Sequence, residues 1–271
     1  MVRVAFQGER GSYSEEAVVR FFGEAELMPC LVLSDVFKAV STGQAAFGVV
    51  PVENSQAGSI NESYDLLLNY PLNIYGEVFV RVSHCLLALP GEKIGSIKTI
   101  YSHPQAIAQS EDFLRRLNVE IVPTYDTAGS AKMIREKQLK GAAAIASRNA
   151  ARIYGLEILA EHIETNPNNY TRFVVISEER AKRAEKNKTS IVFAVRNVPG
   201  ALYSVLGAFA NRSINLTKLE SRPRRDRPWE YIFYVDFEGH REDEVWRDAL
   251  NEVREKVTFI KILGSYPQAE A

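Results

Sequence analysis

Four stretches of the sequence place polar side chains directly after an apolar run, at the point where a strand would end. They read F-Q-G-E-R-G-S-Y-S-E from Phe6, V-V-P-V-E-N-S-Q-A-G-S-I from Val49, Y-S-H-P-Q-A-I-A-Q from Tyr101 and N-N-Y-T-R-F-V-V-I-S from Asn168. Open α/β sheets hold ligand contacts at strand ends, so the four stretches could converge on one cleft. Their side chains are mostly neutral hydroxyls and amides. Such groups suit an oxygen-rich small molecule better than metal-dependent hydrolysis or a Ser-His-Asp triad.

The stretches around Glu53 and Thr171 each have a structural interpretation beside a functional one. Thr171 and Arg172 stand at the head of an apolar strand, where they either contact a ligand or only satisfy backbone groups at the strand start. A turn between a strand and a helix explains Asn54 and Ser55 well enough. It does not explain why the carboxylate of Glu53 follows a buried strand so closely.

The other two stretches carry signals of helix starts. Ser12 and Glu15 form a possible capping box after a two-glycine loop, which suits a carboxylate or phosphate ligand. The loop lacks G-x-G-x-x-G, so a dinucleotide site is not predicted. Ser102 is expected to cap the following helix, which carries Gln109. His103 is either a hydrogen-bonded structural residue or a catalytic base.

Alternating strands and helices must position these side chains, and this pattern is typical of parallel-sheet α/β units. A length of 271 residues suggests about two domains. The predicted strands are residues 2–6, 46–52, 76–89 (one long strand), 97–102, 119–123, 142–146 and 173–176. The predicted helices are residues 15–22, 60–68, 105–117, 130–137 and 148–154.

A second domain follows the charged segment E-E-R-A-K-R-A-E-K-N-K, residues 178–188, which is predicted to be a linker. The pattern after it is strand, helix, two strands, helix, strand. This βαββαβ order indicates a ferredoxin-like sandwich that can fold by itself. The basic loop R-P-R-R-D-R, residues 222–227, is interpreted as a solvated hairpin and not as a nucleic-acid site.

Composition excludes several classes of function. The formal net charge is -1, which argues against a protein that coats nucleic acid or anionic lipid. No apolar run approaches the ~20 residues that span a bilayer, and Met1 leads straight into a charged strand, so a cytoplasmic location without membrane or nucleic-acid partners is expected. Cys30 and Cys85 lack ligand spacing with any histidine, so neither a zinc site nor a disulfide framework is predicted.

The motifs resemble, in order and over essentially the whole chain, those of prephenate dehydratases with a C-terminal ACT regulatory domain. They are G-E-R-G-S-Y-S-E, P-V-E-N-S-x-x-G-S-I, S-H-P-Q-A-x-A-Q, N-x-T-R-F, and G-A-L followed by E-S-R-P. The resemblance implies an α/β fold, in which a two-lobed catalytic domain like periplasmic binding proteins precedes the ferredoxin-like ACT domain. The expected domains are residues 1–180, with a second lobe at about 80–155, a linker at 181–188 and the ACT domain at 189–271. Because Met1 lies almost at the first strand, no preceding chorismate mutase domain is expected.

The resemblance also implies an activity, the decarboxylating dehydration of prephenate to phenylpyruvate without cofactor or metal. It points to Thr171 as donor to the departing hydroxyl and to Asn54 and Gln109 as residues that hold the substrate. Glu53 and Ser102 would shape the polar side of the cleft. The expected substrate-binding set is Ser55, His103, Arg172, Phe173 and Ser12. Arg172 would pair with a substrate carboxylate or with a structural acid, and Phe173 would anchor its strand in the core.

In the second domain the resemblance implies feedback inhibition by phenylalanine in a homodimer or homotetramer. The expected effector residues are Gly200, Ala201, Leu202, Asn215, Glu220 and Ser221. Without the resemblance, Gly200 would only let the chain turn, and the acid and base of E-S-R-P would be a surface pair. Two other functions stay open at this point: an arogenate dehydratase, and a non-catalytic protein that binds amino acids.

Overall fold

The computed structural model describes residues 1–224 and 230–270. Two compact units divide the described chain: residues 1–63 with 78–173, and residues 64–77 with the described residues from Val174 onward. The strands are β1 (Arg3–Gln7), β2 (Glu26–Cys30), β3 (Phe47–Asn54), β4 (Gly58–Ser59), β5 (Asn73–Arg81), β6 (Cys85–Ala88), β7 (Thr99–Ser102), β8 (Glu120–Pro123), β9 (Ala142–Ala146), β10 (Glu157–Ala160), β11 (Tyr170–Ser177), β12 (Asn187–Ala194), β13 (Leu216–Pro223), β14 (Tyr231–Glu238) and β15 (Phe259–Pro267).

The helices of the described residues are short to medium in length. They are α1 (Tyr13–Phe22), α2 (Leu33–Ser41), α3 (Asn61–Asn69), α4 (Pro104–Gln109), α5 (Glu111–Leu114), α6 (Thr127–Lys137), α7 (Arg148–Tyr154), α8 (Ala201–Ala210) and α9 (Glu244–Lys256), with a 3₁₀ turn at Ile94–Ser96. No helix among the described residues is both long and apolar enough to cross a bilayer.

Two sheets build the lobes that carry the predicted catalytic residues. The first has the order β2-β1-β3-β11-β5, with β4 paired to β3 and with β1 parallel to both β2 and β3. The second has the order β10-β6-β9-β7-β8. In the second sheet β7 is parallel to β8 and β9, whereas β6 is antiparallel to β9 and β10, so this sheet is mixed and not wholly parallel as the alternation predicts.

Strand β9 shows how the sequence fills the second sheet. Its residues alternate between two buried clusters, because successive side chains of a strand point to opposite faces. Ala142, Ala144 and Ala146 pack on the side of α6 with Ala131 and Ile134, and Ala143 and Ile145 face the cluster that contains Ile100. Small side chains let the layers approach closely on both faces of this central strand.

The second unit has the predicted ferredoxin-like order. Its elements run β12, α8, β13, β14, α9 and β15, and the antiparallel sheet has the order β13-β14-β12-β15. Helices α8 and α9 pack on one face through the buried residues Val205, Phe209, Ala249, Leu250 and Val253. The predicted α/β fold with a C-terminal ferredoxin-like domain is confirmed.

The predicted long strand over residues 76–89 is wrong. The chain forms β5 and β6 in different sheets, and Val82, Ser83 and His84 connect them. The backbone N–H of Val82 donates to Asn169 O (2.7 Å), and that of His84 donates to the Glu164 carboxylate (2.9 Å). Distant residues therefore satisfy these backbone groups, and no local glycine or proline marks the break.

The predicted helix over residues 105–117 is also wrong, because it divides into α4 and α5 at Ser110. The carbonyl of Gln109 accepts a hydrogen bond from the backbone N–H of Thr165 (2.7 Å). Because this carbonyl accepts from a distant segment and not from the next turn of the helix, the helix is interrupted here. His103, and not Ser102, caps α4, and it accepts from the backbone N–H of Gln105 (3.2 Å).

Other boundaries differ from the prediction for local reasons. Helix α6 begins at Thr127 and not at Ser130, because Asp126 caps it by accepting from Gly129 N–H (2.6 Å). Asn187 and Lys188, predicted to lie in the linker, are buried residues of β12. Strands β2, β4 and β10 and helix α2 are additional to the predicted elements. In the basic loop, residues 225–227 lie outside the described residues.

Candidate active site

Asn54, the last residue of β3, is held in a single orientation by the backbone that follows it. Its side chain is buried, and Oδ1 accepts hydrogen bonds from the backbone N–H groups of Gln56 (3.1 Å) and Ala57 (2.9 Å). A backbone N–H can only donate, so the oxygen of the Asn54 amide must face these groups. The amide nitrogen therefore faces β11.

The Asn54 amide nitrogen donates to a cluster of acceptors on β11 and the residue before it. Nδ2 lies 2.8 Å from Asn169 Oδ1, 3.0 Å from Thr171 Oγ1 and 3.2 Å from Tyr170 O. Two hydrogens serve three acceptors, and the most distant, Tyr170 O, also accepts from Ser55 N–H (2.8 Å). The Thr171 hydroxyl oxygen is therefore an acceptor in this arrangement.

Gln109, the last residue of α4, closes the arrangement from the other lobe. Its Oε1 accepts from Asn169 Nδ2 (3.0 Å), and its Nε2 donates to Asn54 Oδ1 (3.4 Å). An amide nitrogen carries two hydrogens, and among the described residues the second hydrogen of Gln109 has no acceptor within hydrogen-bond distance. We call Asn54, Gln109, Asn169 and Thr171 the amide network.

The Thr171 hydroxyl can act as a donor to a ligand. Its oxygen accepts from Asn54, and within residues 1–224 and 230–270 its hydrogen has no acceptor. A hydroxyl that is already polarised by an accepted hydrogen bond is the stronger donor, because hydrogen bonds in a chain reinforce one another. The side chain is 8% exposed, so this hydrogen is offered in a largely dry site.

Other predicted site residues lie beside the amide network in the chain. Ser55 Oγ accepts from Tyr170 N–H (2.9 Å) and donates to Asn168 O (3.2 Å), so it joins the turn after β3 to the start of β11. Arg172 and Phe173 are both buried on β11, and Phe173 anchors the strand as expected. Glu53 is half-buried on β3 and pairs in register with Ser59 of β4.

Three predicted site residues form their hydrogen bonds outside the network. Ser102 is fully buried and donates to Ile145 O (2.7 Å). His103 caps α4, and burial lowers the pKa of its ring, which keeps it neutral near pH 7. Ser12 caps α1 by accepting from Glu15 N–H (3.3 Å). The predicted capping box is incomplete, because the Glu15 carboxylate accepts from Gly11 N–H (2.6 Å) and not from Ser12.

Asn169 is a network residue that the sequence-based set omits, although a signal for it exists. It precedes Thr171 by two positions, and residues two apart on a strand share one face. Asn169 is fully buried and contacts both Asn54 and Gln109. His84, whose ring reaches Gln109 Oε1 (3.0 Å), is also absent from the predicted set. No local signal marks it, since it stands inside the segment predicted to be one long strand.

A second polar cluster surrounds the loop after β1. The Glu9 carboxylate accepts from Lys132 Nζ (3.0 Å) and from the Tyr125 hydroxyl (3.3 Å). Burial raises the pKa of the neighbouring Asp126 carboxyl. Gly8 has φ +108°, and an added Cβ would lie 3.0 Å from Asp126 Oδ2. A glycine is needed here both for the backbone angle and for the close approach.

The predicted effector residues occupy two parts of the second unit. Gly200 (φ +80°) caps α8, and Gly200 and Ala201 line an open pocket with Arg196, Ser204 and Lys256. Leu202 packs against the core beneath α8. Asn215 is exposed just before β13, and Glu220 and Ser221 lie near the end of that strand. These last three residues do not line the pocket at Gly200.

The charged residues of E-S-R-P have partners within the second unit. Glu220 Oε2 lies 3.4 Å from Lys218 Nζ, and Arg222 Nη1 lies 2.8 Å from Asp65 Oδ1. Among the described residues, no group of three His, Cys, Asp or Glu side chains could hold a metal ion.

Comparison with known proteins agrees with this organisation. The family model for prephenate dehydratase matches residues 4–181, and that for the ACT domain matches residues 189–255. The chain belongs to the prephenate dehydratase family. A relative from Arabidopsis thaliana, arogenate dehydratase/prephenate dehydratase 2 of the chloroplast, is 45% identical over 98% of this chain and 73% of its own length.

Two solved structures resemble this prephenate dehydratase family member over nearly its whole length. The prephenate dehydratase of Arthrobacter aurescens in complex with L-Phe has a TM-score of 0.90 and 33% identity, and the match covers 99% of this chain and 90% of that one. A protein described as GqqA, a novel type of quorum quenching acylase, has a TM-score of 0.90 and 37% identity, covering 98% of both chains.

Proposed function

We propose that the chain converts prephenate to phenylpyruvate, carbon dioxide and water in the biosynthesis of phenylalanine. The observation that carries the proposal is the orientation of the amide network, which leaves the Thr171 hydroxyl hydrogen free for a ligand. Membership of the prephenate dehydratase family supports it. A site of neutral donors fits a reaction in which the main task is to help a hydroxyl leave.

The reaction balances with one proton. The C–C bond to the ring carboxylate breaks, and its electron pair enters the ring as carbon dioxide departs. The C–O bond to the ring hydroxyl breaks at the other end of the ring, and the departing oxygen gains a proton to become water. Aromatisation of the ring supplies a large driving force. The protein therefore has to orient the substrate and stabilise charge on the departing oxygen.

Each residue of the network has a distinct part in this scheme. Thr171 donates to the departing oxygen. The pKa of an alcohol is far above neutrality, so Thr171 is a hydrogen-bond donor, or relays a proton from water, and is not a free general acid. The unused N–H of Gln109 binds a substrate oxygen. Arg172 supplies a positive charge for a carboxylate, which a planar guanidinium binds in bidentate fashion.

Arogenate is the second candidate substrate. The Arabidopsis relative carries both activities in its name, which favours testing the two substrates together. Arogenate has an amino group where prephenate has a keto group, at a distance from the ring hydroxyl. The chemistry at Thr171 would be the same for both, so the difference must come from the groups that bind the side chain.

The acylase description of the GqqA structure points to a different chemistry. Acyl transfer by a hydroxyl nucleophile needs a neighbouring base that accepts the hydroxyl hydrogen. Thr171 has the opposite arrangement, because the Asn54 amide donates to its oxygen. This direction favours donation to a leaving group over nucleophilic attack.

Phenylalanine is the proposed inhibitor, acting through the second unit. The related Arthrobacter enzyme was solved with L-Phe, and an ACT domain is present in this chain. The proposed effector residues are those at the start of α8 and along β13. The homodimer or homotetramer and the cytoplasmic location remain predictions, and light scattering and cell fractionation are the measurements that test them.

The deciding experiment follows the formation of phenylpyruvate from prephenate, and of phenylalanine from arogenate, by the purified chain. A strong chelator is present, and no cofactor is added. We expect turnover of prephenate that the chelator does not change. Turnover of neither substrate contradicts the proposed function. Loss of activity on chelation, restored by a metal ion, contradicts the predicted absence of a metal.

A further inference from the structure

His84 is a buried residue between β5 and β6 whose ring ends on the amide network. It is 2% exposed. Its Nε2 lies 3.0 Å from Gln109 Oε1, and its Nδ1 lies 3.1 Å from the Tyr13 hydroxyl. Its backbone N–H donates to Glu164 Oε2 (2.9 Å), so both the ring and the backbone of His84 are fixed.

Two backbone N–H groups determine, through a series of hydrogen bonds, which ring nitrogen of His84 carries a hydrogen. The N–H groups of Gln56 and Ala57 turn Asn54 Oδ1 toward themselves, so Asn54 Nδ2 donates to Asn169 Oδ1. The amide nitrogen of Asn169 must then donate to Gln109 Oε1. Since Gln109 Oε1 is an acceptor, the His84 nitrogen that faces it must be a donor.

We infer that His84 is a positioning residue for Gln109, acting through a hydrogen on Nε2. The inference rests on the proposed function, in which the free N–H of Gln109 binds the substrate. His84 and Asn169 together fill both acceptor positions of Gln109 Oε1. They hold the side-chain amide so that its nitrogen points toward Asn54 and the ligand. Without the His84 donor, only the bond from Asn169 and the longer bond to Asn54 (3.4 Å) would oppose rotation of this amide.

The other side of the ring is compatible with this role in both protonation states. The Tyr13 hydroxyl lies 2.6 Å from Ser83 O and 3.1 Å from His84 Nδ1. The single hydrogen of the Tyr13 hydroxyl is donated to Ser83 O, so Tyr13 supplies no donor to Nδ1 of a neutral ring, whereas Nδ1–H of a protonated ring can donate to the Tyr13 oxygen. Burial lowers the pKa of His84, which favours the neutral ring. A protonated ring would keep its hydrogen on Nε2. The contact with Gln109 therefore survives either way.

Two substitutions at His84 separate positioning from simple packing. The side-chain amide nitrogen of His84→Gln can replace Nε2–H, whereas His84→Leu has no donor. A catalytic group displaced by about 1 Å can lose about 10²-fold in rate. We expect His84→Leu to lower kcat by up to that factor with a smaller change in KM, and His84→Gln to restore most of the rate. Equal losses in the two variants, or none in either, would overturn the inference.

A double-mutant cycle with Gln109→Leu shows whether His84 acts through Gln109. If it does, His84→Leu should cost little further activity once Gln109 is absent, because residues in one network are not additive. Fully additive losses would contradict the inference. His240→Leu is the matched control, since His240 is also buried but lies in the second unit. Melting temperatures of all variants separate lost catalysis from lost folding.

Nuclear magnetic resonance of the wild-type protein tests the assignment without any substrate. The chain has 4 histidines, and the spectrum of His84→Gln identifies the His84 signals by their absence. We expect hydrogen on Nε2 of His84 across the range of pH in which the protein is folded. A neutral ring with hydrogen on Nδ1 alone would overturn the inference, even if the proposed dehydratase activity is present. Conversely, an inactive wild type with Nε2–H would contradict only the proposed function.

Discussion

Two polar networks in this molecule are built from different chemistry. The amide network of the first unit joins Asn54, Gln109, Asn169 and Thr171 through neutral groups. On the sheet of the second unit, charged residues meet the segment 64–77. Lys188 Nζ lies 2.7 Å from Glu77 Oε1, with both side chains almost completely buried, and Arg222 pairs with Asp65.

A third cation extends the charged network of the second unit. Lys261 Nζ donates to the carbonyls of Leu67 (2.8 Å), Leu68 (2.9 Å) and Tyr70 (2.6 Å), at the C-terminal end of α3. These carbonyls lack partners within the helix, and a cation there also interacts favourably with the helix dipole. Burial lowers the pKa of Lys261.

The difference between the networks indicates what each one does. A neutral amide has an acceptor oxygen and a donor nitrogen. In a series of hydrogen-bonded amides, the orientation of the first therefore fixes the orientation of the others and decides which hydrogen has no acceptor in the network. Buried charges interact strongly but cost much to leave unpaired. Changes in the amide network should therefore reduce catalysis more than stability, and changes in the charged network should do the reverse.

The largest expected effect is on catalysis at Thr171. Thr171→Val keeps the shape of the side chain but removes the hydroxyl, and it should lower kcat by about two to four powers of ten, the range for one acid-base or oxyanion group. Thr171→Ser should keep much more of the rate. Steady-state kinetics with prephenate measure both. A near-normal kcat for the valine variant would mean that Thr171 is only part of the strand start.

The next effect is on stability at Lys188. Lys188→Met removes the ammonium group that lies 2.7 Å from the buried Glu77 carboxylate, and breaking such a pair costs about 3–5 kcal/mol of unfolding free energy. Denaturant unfolding of this variant and of Lys186→Met, an exposed neighbour, gives the comparison. A stability equal to that of the control would contradict the assignment of Lys188 to a buried pair.

Asn54→Asp tests the direction of the amide network. The substitution replaces the donor Nδ2 by an acceptor, so the Thr171 hydroxyl would give its hydrogen to the new carboxylate and not to the substrate. We expect kcat to fall by about 10²-fold, as for the loss of one oriented donor. Asn118→Asp, at an exposed position, is the charge-matched control. If both variants keep the wild-type kcat, the network does not orient Thr171.

The effector prediction concerns Asn215. If its amide binds the amine of phenylalanine, Asn215→Ala should raise the phenylalanine concentration needed for half inhibition by about tenfold, equivalent to about 1.4 kcal/mol. Asn211→Ala, an exposed residue at the end of α8, should leave inhibition unchanged. Inhibition curves for the three proteins are the measurement. A full-length enzyme that ignores millimolar phenylalanine contradicts the regulatory proposal.

The smallest effect is expected at Asp126, a half-buried acid of the first unit that neighbours Glu9. Burial raises the pKa of its carboxyl, so the folded state binds a proton more tightly than the unfolded state and the charged form destabilises the fold. Asp126→Asn keeps an oxygen for Gly129 N–H and should raise the melting temperature at pH 7. The gain should disappear as the pH falls below the ordinary range of aspartate. A lower melting temperature at pH 7 would mean that the charge stabilises the helix start.

Much of the fold was predictable because the spacing of apolar residues along the sequence indicates the strands and helices. The βαββαβ order of the second unit follows from periodicity, and it agrees with the sheet order that the structure shows. The errors occur where distant groups satisfy the backbone. The backbone N–H of Thr165 donates to the carbonyl of Gln109, where α4 ends. The carbonyl of Asn169 accepts from the N–H of Val82, at the point where one predicted strand is in fact two. No local pattern encodes such partners.

The sequence by itself determined which polar residue types follow the predicted strands. The resemblance of its motifs to those of prephenate dehydratases then selected Asn54, Gln109 and Thr171 as site residues. Only the tertiary structure decided that Asn169 joins them and that Ser102 gives its hydrogen bond to Ile145 O and not to one of them. It also decided that His84 reaches Gln109. The physical reason is that each hydrogen bond needs one donor and one acceptor. Two backbone N–H groups after β3 fix the orientation of the Asn54 amide, and this orientation determines those of Asn169 and Gln109. These side chains are far apart in the sequence, so the hydrogen bonds form only once the lobes have folded together.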